Sequence, residues 1–367
     1  MKYKIATIFE GFESVHWTKD VGIIPQIFTE LTKEPGIIIC RGKKKYEEEF
    51  NGVKLYSISS RLWMTYFIKA LFIIVINRVT LINVYHLSKK NYIWLVFAKL
   101  LGVKSFLKLD MDMPNALRMM KHIAENKIKT RFTLYLQVLL CDFITIEDSE
   151  LYVLLKKHTF FKKLQVLPNC IWDDNRVISH MVEQCVEREN VIIVVGRIGA
   201  YQKNHEIILE AVRDVTWKDD WKMLFIGGYN NDFEIQLKKL LEQDPVLKNN
   251  IFLCGNKDRD ELDKIYLRAK VYLSTSRWEG FSLAMTEAAY HGCYIISTPV
   301  GGVKDITNNG KYGKIIRSSK HEVAKEIQEI IDNAQDLTNS YKERVNYVHQ
   351  NFEWTIRIKK IFADGVY

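Results

Sequence analysis

The sequence predicts an α/β protein with two domains, each built on a parallel sheet that helices cover. Its 367 residues suffice for two cores of ordinary size. Strand-like apolar runs alternate with helix-like runs along the whole chain, which is typical of parallel sheets. Polar sequence interrupts this alternation near 172–188, after the turn Pro168–Trp172. We therefore expect one domain at 1–172 and a second at 173–350.

The first half carries short apolar runs that are separated by polar loops. A long loop, Glu10–Gly22, follows the first of them, and a helix is expected at Ile23–Thr32. The expected strands are Lys4–Phe9, Gly36–Cys40, Leu81–Tyr85, Ser105–Leu109, Asp142–Ile146 and Leu164–Leu167.

The second half repeats the alternation. Helices are expected at His205–Val212 and Phe281–Tyr290, the second with Gly292 as its C-cap. Parallel sheets of this kind bind ligands in the cleft at the C-terminal ends of their strands. The expected strands are Asn190–Arg197, Lys222–Ile226, Ile251–Leu253, Ala269–Ser274 and Tyr294–Ser297.

Positive charge is concentrated in the first half. Residues 1–172 hold 26 Lys and Arg against 15 Asp and Glu, whereas the remainder holds 27 against 29. From Phe50 to Leu109 there are nine basic residues and no acidic one. Such a surface attracts an anionic membrane or a lipid phosphate. It would also attract nucleic acid, but the chain has no nucleic-acid motif, so we expect no nucleic-acid partner.

The apolar stretch Leu62–Ile76 is short of the roughly 20 residues that a membrane-spanning helix needs, and Lys69 lies in its middle. It is either a core helix of the first domain or a helix that lies partly in a membrane interface.

The six cysteines show no CxxC spacing, which favours free thiols in a reducing compartment. The chain enters its first strand without the apolar region of a signal peptide. We expect a cytoplasmic protein, peripheral at the inner face of the cell membrane.

The segment Ser276–Glu287 carries the clearest functional signal. It joins a buried strand to a helix that Gly280 opens, and it places Glu279 and Glu287 eight residues apart. The N-terminus of such a helix offers free N–H groups and the positive end of a dipole, which suit phosphate. Carboxylates accept hydrogen bonds from hydroxyls. A nucleotide sugar is a ligand of this kind, because its phosphates lie between two groups that carry hydroxyls. The segment therefore predicts a nucleotide-sugar site.

Further candidates follow other strands of the second half. Arg197 ends a strand and Lys203 precedes a helix, so both could neutralise a diphosphate and the charge that develops on it when it leaves. Gly228 lets a ligand approach the backbone, and Asn256 could meet a nucleobase edge. Solvated cations and ordinary turns are the alternative for these positions.

These motifs resemble glycosyltransferase family 4 over the whole chain, most strongly at 190–305. They occur in the order seen in that family: Pro168-Asn169, Arg197…Lys203, Glu279-x7-Glu287, Gly301-Gly302 and Asn351-Phe352-Glu353-Trp354.

The resemblance implies the GT-B architecture, two facing Rossmann-like domains with a deep inter-domain cleft, with the donor in the second domain and the acceptor in the first. It implies that catalytic Glu279 meets the donor sugar, Glu287 the ribose, and Arg197 with Lys203 the diphosphate. It also implies retention of anomeric configuration without a metal, and a helix at 351–367 that returns to the first domain. The donor-binding loop is then Gly280, Phe281, Ser282 and Leu283.

The first half departs from the family pattern in two places. Relatives carry a Gly-Gly pair in the first loop, where this chain has isolated glycines such as Gly11. Relatives also place a His near the donor sugar, where this chain has Asp110 and Asp112. Asp110 is the preferred catalytic candidate, and Asp112 could equally cap a helix. His16 and His86 are the alternative cleft residues.

We therefore expect a retaining, metal-independent hexosyltransferase that uses a nucleotide-sugar donor of the UDP or GDP type and no other cofactor. The expected acceptor is a glycan or a lipid-linked glycan of bacterial surface polysaccharide synthesis, such as capsule or O-antigen. A nucleotide-sugar epimerase of the same fold and a non-catalytic partner subunit are the alternatives.

Overall fold

The computed structural model of the chain describes residues 2–125, 128–173, 177–184, 187–218, 220–334, 337 and 340–362. It divides into two units. The first comprises Met1–Pro168 and Trp354–Tyr367, and the second is Asn169–Glu353.

The first unit is built on a sheet of eight strands in the order β3-β4-β2-β1-β5-β6-β7-β8. Every neighbouring pair is parallel except β3 and β4. The central strands are buried on both faces, which explains why they are almost continuously apolar. The strands are β1 Ile5–Ile8, β2 Ile37–Gly42, β3 Tyr46–Phe50, β4 Val53–Ser59, β5 Leu81–Tyr85, β6 Lys104–Leu109, β7 Phe143–Ile146 and β8 Leu164–Val166.

Helices connect these strands. Short 3-10 helices at Ser14–Thr18 and Thr159–Phe161 accompany them. The helices are α1 Asp20–Thr32, α2 Trp63–Ile76, α3 Lys89–Leu100, α4 Met113–Ala124, α5 Ile128–Leu140 and α6 Ser149–Lys156.

The hairpin of β3 and β4 was not predicted. All five residues of β3 are exposed, so the strand has no buried face and no alternation of apolar and polar residues. The turn between the two strands is formed by Asn51 and Gly52, whose φ angles are positive, at 47° and 73°. Asn-Gly is the preferred pair for a two-residue hairpin turn of this handedness.

The second unit has a sheet of six strands in the order β11-β10-β9-β12-β13-β14, and all neighbouring pairs are parallel. The strands are β9 Glu189–Val195, β10 Lys222–Ile226, β11 Ile251–Gly255, β12 Ala269–Ser274, β13 Tyr294–Ser297 and β14 Gly313–Ile315. Strands β10, β12 and β13 have the predicted limits.

The helices of the second unit alternate with its strands. Short 3-10 helices lie at Tyr201–Lys203, Val212–Asp214 and Pro245–Asn249. The helices are α7 Val177–Gln184, α8 Glu206–Ala211, α9 Asn231–Gln243, α10 Arg259–Arg268, α11 Leu283–Tyr290, α12 Val303–Ile306, α13 Lys320–Asp332 and α14 Tyr341–Asn351.

The last helix, α15 Trp354–Phe362, packs in the first unit. The ring of Phe362 lies 5.1 Å from that of Phe28, 5.1 Å from that of Phe106 and 4.7 Å from that of Phe143, centroid to centroid. An aromatic cluster of this kind fixes the helix on the sheet.

The apolar stretch Leu62–Ile76 forms α2, a helix of 14 residues. It buries Tyr66, Phe67, Ala70 and Ile74. One face of the helix therefore belongs to the core, as one of the two alternatives predicted. In the described part of the chain no helix is both long and apolar enough to cross a bilayer. Five cysteines are free thiols, and Cys185 lies outside the described residues.

Candidate functional site

The candidate site lies at the C-terminal edge of the second sheet. Strand β9 is central, with β10 and β11 on one side and β12, β13 and β14 on the other. The strand order therefore reverses between β9 and β12, and ligands bind beside such a switch point in open parallel sheets.

Two glycines let the ends of β9 and β10 touch. A Cβ on Gly227 would lie 1.9 Å from the carbonyl oxygen of Gly196, and the φ of Gly227 is +128°. Gly228 follows at this edge, where a Cβ would lie 3.4 Å from Oδ1 of Asn256. The structure thus brings Gly228 and Asn256 together, as expected of residues that follow neighbouring parallel strands.

Glu279 and Lys203 form an ion pair at this edge. Lys203 ends the 3-10 helix after β9, and its Nζ lies 2.7 Å from Oε1 of Glu279. Ser276 Oγ donates a hydrogen bond of 2.7 Å to the same oxygen. Only 15% of the lysine side chain and 11% of the glutamate side chain are exposed. The two charges therefore interact in a partly desolvated environment, where the attraction is stronger than in water.

Gln202 connects Arg197 to this pair. Its Nε2 donates to Oε2 of Glu279 at 3.2 Å and to the carbonyl oxygen of Trp278 at 2.9 Å. Its Oε1 accepts a hydrogen bond of 2.8 Å from the guanidinium of Arg197. Gln202 was not predicted from the sequence, although its position beside Lys203 was the available signal. The structure therefore brings Arg197, Lys203 and Glu279 into one connected group.

The loop after Glu279 is held by a second pair of glycines. A Cβ on Gly301 would lie 2.0 Å from the carbonyl oxygen of Gly280, and a Cβ on Gly302 would lie 2.8 Å from the ring of Phe281. Phe281 is buried. Side chains larger than glycine would push the loop away, so Gly301 and Gly302 fix the backbone that carries Glu279.

Helix α11 begins at Leu283, two residues later than predicted, with Ser282 as its N-cap. The Ser282 side chain makes no capping hydrogen bond to the helix. The first N–H groups of a helix have no partner within it, and they carry the positive end of its dipole. The N-terminus of α11, which follows the Glu279 loop directly, can therefore accept an anion.

Glu287 lies on α11 and is already paired. The guanidinium of Arg259 contacts its Oε1, and Tyr266 donates a hydrogen bond of 3.2 Å to its Oε2. Arg259 also lies 2.9 Å from Asp263. Arg259 was not predicted as a site residue, because nothing in its own segment distinguishes it from a solvated helix cation. Glu287 is thus a carboxylate that a guanidinium holds in place, with 20% of its side chain exposed.

In the first unit, the structure brings Asp110 and His86 together. His86 follows β5 with φ at +61°, and its Nδ1 lies 3.2 Å from the backbone oxygen of Asp110. Asp112 is the N-cap of α4 and accepts a hydrogen bond of 2.8 Å from the backbone N–H of Asn115. The capping alternative for Asp112 is therefore the one observed.

The other two candidates of the first loop lie in different surroundings. His16 accepts a hydrogen bond of 2.9 Å from the backbone N–H of Glu13 through Nδ1, and its ring packs against Phe9 and Phe12. Gly11 has no atom within 4 Å of the place where a Cβ would stand. No close approach at Gly11 therefore requires a glycine.

A buried group of charges lies beside Asp110. Lys108 on β6 is fully buried between Glu147, which it contacts, and Asp20, at 2.9 Å. Burial alone would lower the pKa of Lys108, but Asp20 and Glu147 outweigh it and raise that pKa. Burial raises the pKa of Glu147, the positive charge of Lys108 lowers it, and the negative charges of Asp110 and Asp20 raise it further. From the sequence, Lys108 was expected only to be a residue of a strand.

His205 precedes α8 and supports the turn after β9. Its Nδ1 accepts a hydrogen bond of 3.0 Å from the backbone N–H of Gly199, so this nitrogen carries no proton. Burial, with the charge of Lys203, lowers the pKa of His205 to about 3 from its ordinary 6.5. The imidazole is therefore neutral in the folded protein at neutral pH.

This environment makes stability depend on pH. Between pH 6.5 and about 3, the unfolded chain binds a proton at His205 that the folded chain excludes, so the free energy of unfolding falls as the pH is lowered through this window. His205→Asn keeps an acceptor for Gly199 and removes the titration. We expect its urea midpoint to depend less steeply on pH than that of the wild type, and equal slopes would contradict this account.

Among the described residues, no group of three or more His, Cys, Asp and Glu side chains is placed to hold a metal ion.

The second unit matches a known family. The sequence model described as Glycosyl transferases group 1 matches residues 179–348. The phosphatidylinositol N-acetylglucosaminyltransferase gpi3 subunit of Schizosaccharomyces pombe is 22% identical over 204 residues, which are 55% of this chain and 43% of that protein. The poly(glycerol-phosphate) alpha-glucosyltransferase of Bacillus subtilis is 29% identical over 231 residues, 60% of this chain and 32% of that protein. The chain thus aligns with less than half the length of either relative.

Solved structures resemble nearly the whole chain. HepE of Anabaena in complex with UDP has a TM-score of 0.72 at 13% identity and covers 98% of each chain. A glycosyltransferase of Rickettsia africae has a TM-score of 0.71 at 17% identity, over 98% of this chain and 96% of that one. At sequence identities this low, the similarity is evidence for the fold alone. The predicted GT-B fold, with two Rossmann-like domains, is confirmed.

Proposed function

Since residues 179–348 match the sequence model described as Glycosyl transferases group 1, we propose that this protein moves a sugar from a nucleotide diphosphate donor to an acceptor. The observation that carries the proposal is the joined group of Arg197, Lys203 and Glu279 beside the N-terminus of α11. Two cations and a helix N-terminus suit a diphosphate. The adjacent carboxylate suits the hydroxyls of the sugar attached to it.

Each side chain has a role in the proposed reaction. Arg197 and Lys203 neutralise the diphosphate, on which negative charge develops as the glycosidic bond breaks. Glu279 accepts hydrogen bonds from the donor sugar, and Gly280–Leu283 provide backbone N–H groups. The transfer retains anomeric configuration and needs no metal, as in glycosyltransferase family 4.

The nucleoside occupies the other end of the same edge. Glu287, held by Arg259 and Tyr266, accepts hydrogen bonds from the ribose. Gly228 leaves room for the base, and the side chain of Asn256 lies beside Gly228. UDP is the first donor to test, because HepE of Anabaena, which has a similar fold, was solved with UDP.

The acceptor is proposed to be a glycan or lipid-linked glycan that carries phosphate and is bound by the basic first unit, where Asp110 is the catalytic candidate. The names of the two relatives include phosphatidylinositol and poly(glycerol-phosphate), and both compounds contain phosphate. Surface polysaccharide synthesis at the cytoplasmic face of the membrane, as for capsule or O-antigen, is the setting that suits such an acceptor.

The donor can be identified by thermal unfolding. A panel of UDP, GDP and ADP with their sugars is added to the purified protein. A ligand at 100 times its Kd stabilises the folded state by about 2.7 kcal/mol, which is a shift of several degrees for a domain of this size. We expect one base to raise the Tm and the others to leave it unchanged, and a panel without any shift would contradict the proposal.

The same donor distinguishes transfer from epimerisation. A transferase turns over its donor rapidly only when an acceptor is added, whereas an epimerase converts the donor alone. Donor conversion to an isomer without acceptor would favour the epimerase. Donor binding without any turnover, with a full set of candidate acceptors, would favour a non-catalytic subunit.

A further inference from the structure

Helix α2 is apolar around most of its circumference, with Lys69 as its one charged residue, although only one side is covered. Its inner face buries Tyr66, Phe67, Ala70 and Ile74. The ring of Phe67 packs on Trp94 and Phe97 of α3, at centroid distances of 4.6 and 4.8 Å. These contacts fix the helix on the first unit. A helix that is apolar all round is normally buried or in contact with lipid.

The outer face of α2 consists of five large apolar side chains. The first four follow one another at spacings of four, four and three residues, and the fifth lies four residues after the third, so they form one continuous stripe. Each is between 58% and 67% exposed. Scattered apolar residues are common on protein surfaces, but a contiguous patch indicates an interaction site. The five are Met64, Ile68, Phe72, Val75 and Ile76.

Basic residues border this outer face. Arg61, Lys69 and Arg78 lie before, within and after the helix, and all three are exposed. Glu10 accepts a hydrogen bond from Trp63 at the start of the helix, and its charge is paired with Lys90. An apolar stripe with a basic border is complementary to a bilayer that has anionic headgroups.

We propose that the outer face of α2 inserts into the headgroup region of an anionic lipid bilayer, with Lys69 and its neighbours on the lipid phosphates. At about 1.5 Å per residue the helix is roughly 21 Å long, so it lies along the surface. The inference rests on the proposed function in one respect: the protein would reach a lipid-linked acceptor at the bilayer surface.

A second copy of the chain is a less suitable partner for this face. In a two-fold dimer the same surface patch of each subunit faces its copy, so the basic residues around α2 would face an equally basic surface, and α2 itself carries no acid to compensate. Lipid phosphates supply that missing negative charge.

Flotation with vesicles tests the proposal. Full-length protein is mixed with vesicles of phosphatidylcholine containing one-quarter phosphatidylglycerol, and with vesicles of phosphatidylcholine alone. We expect binding to the anionic vesicles that weakens as salt is added. The double variant Ile68→Ser, Phe72→Ser should lower the partition coefficient at least ~10-fold, because two large apolar side chains leave the interface.

The matched control replaces equally exposed apolar residues of the second unit. Ile235→Ser with Val246→Ser changes side chains that are 63% and 65% exposed, and its binding should equal that of the wild type. A second test variant, Lys69→Gln with Arg78→Gln, should reduce both the binding and its dependence on salt. It leaves the apolar face intact, so it reports on the surface independently of the serine substitutions.

Three outcomes would overturn the proposal. The wild type could fail to float with anionic vesicles, or the serine and glutamine variants could float as the wild type does. Sedimentation could also show a wild-type dimer that the serine variant lacks, which would assign the face to a second copy. Loss of nucleotide binding, with normal flotation, would instead reject the proposed function and leave the lipid surface standing.

Discussion

Replacing Glu279 by glutamine is expected to leave the fold intact and to lower the rate of transfer by roughly 100- to 1,000-fold. A loss of this size is typical when one preorganised electrostatic group is removed from an active site. Glutamine has nearly the same shape as glutamate. In the wild type, Gln202, Lys203 and Ser276 all donate hydrogen bonds to the carboxylate of Glu279. In the variant, the amide N–H groups of glutamine would face these donors. The charge that positions Lys203 would also be lost.

The measurement is product formation from the donor that the thermal panel identifies, with and without acceptor. Circular dichroism and the Tm show whether the fold is retained. Glu343→Gln is the matched control, because that side chain is 69% exposed and pairs only loosely with Lys311 at 3.5 Å. Transfer by Glu279→Gln at the rate of the control would contradict the assignment of Glu279.

Replacing Lys108 by methionine is expected to reduce the free energy of unfolding by about 3–5 kcal/mol, the usual effect of removing one partner of a buried ion pair. Methionine fills most of the lysine volume, so the loss reports on charge. Asp20 and Glu147 would both lose the ammonium group that pairs with them.

The control for this substitution lies on the same strand. Lys104 pairs with Asp142 at 3.0 Å, but 52% of its side chain is exposed, and an exposed pair contributes at most about 1 kcal/mol. Urea unfolding of Lys104→Met should therefore resemble that of the wild type. If Lys108→Met were equally mild, the buried group would not stabilise the first unit.

The second unit was largely predictable because its informative residues directly follow apolar strands. Parallel strands end at one edge, so the positions of Arg197 and Glu279 in the sequence were enough to predict that they share a site. In the structure Gln202 connects Arg197 to Glu279, and Lys203 forms an ion pair with the same carboxylate. Their roles in donor binding stay predictions. The partners of Glu287 were not predictable, since Arg259 reaches it from a separate helix and no local pattern specifies that pairing.

The first unit shows why other features escaped prediction. Lys108 is a single charge in an apolar strand, and its partners Asp20 and Glu147 lie far away in the sequence, so only the tertiary fold reveals the group. Strand β3 has no buried face, and periodicity arguments need one. For α2, the sequence left a core helix and an interfacial helix open, because periodicity cannot tell which side of an apolar helix the sheet covers.

Calorimetric titration of the nucleoside diphosphate tests the central claim most directly. Lys203→Gln keeps a donor for Glu279 and removes the positive charge, whereas Lys238→Gln removes a charge from α9 whose side chain is 69% exposed. The account predicts that Lys203→Gln raises the Kd roughly 10- to 100-fold and that Lys238→Gln binds as the wild type does. Equal affinity in all three proteins, or no binding by the wild type, would contradict it.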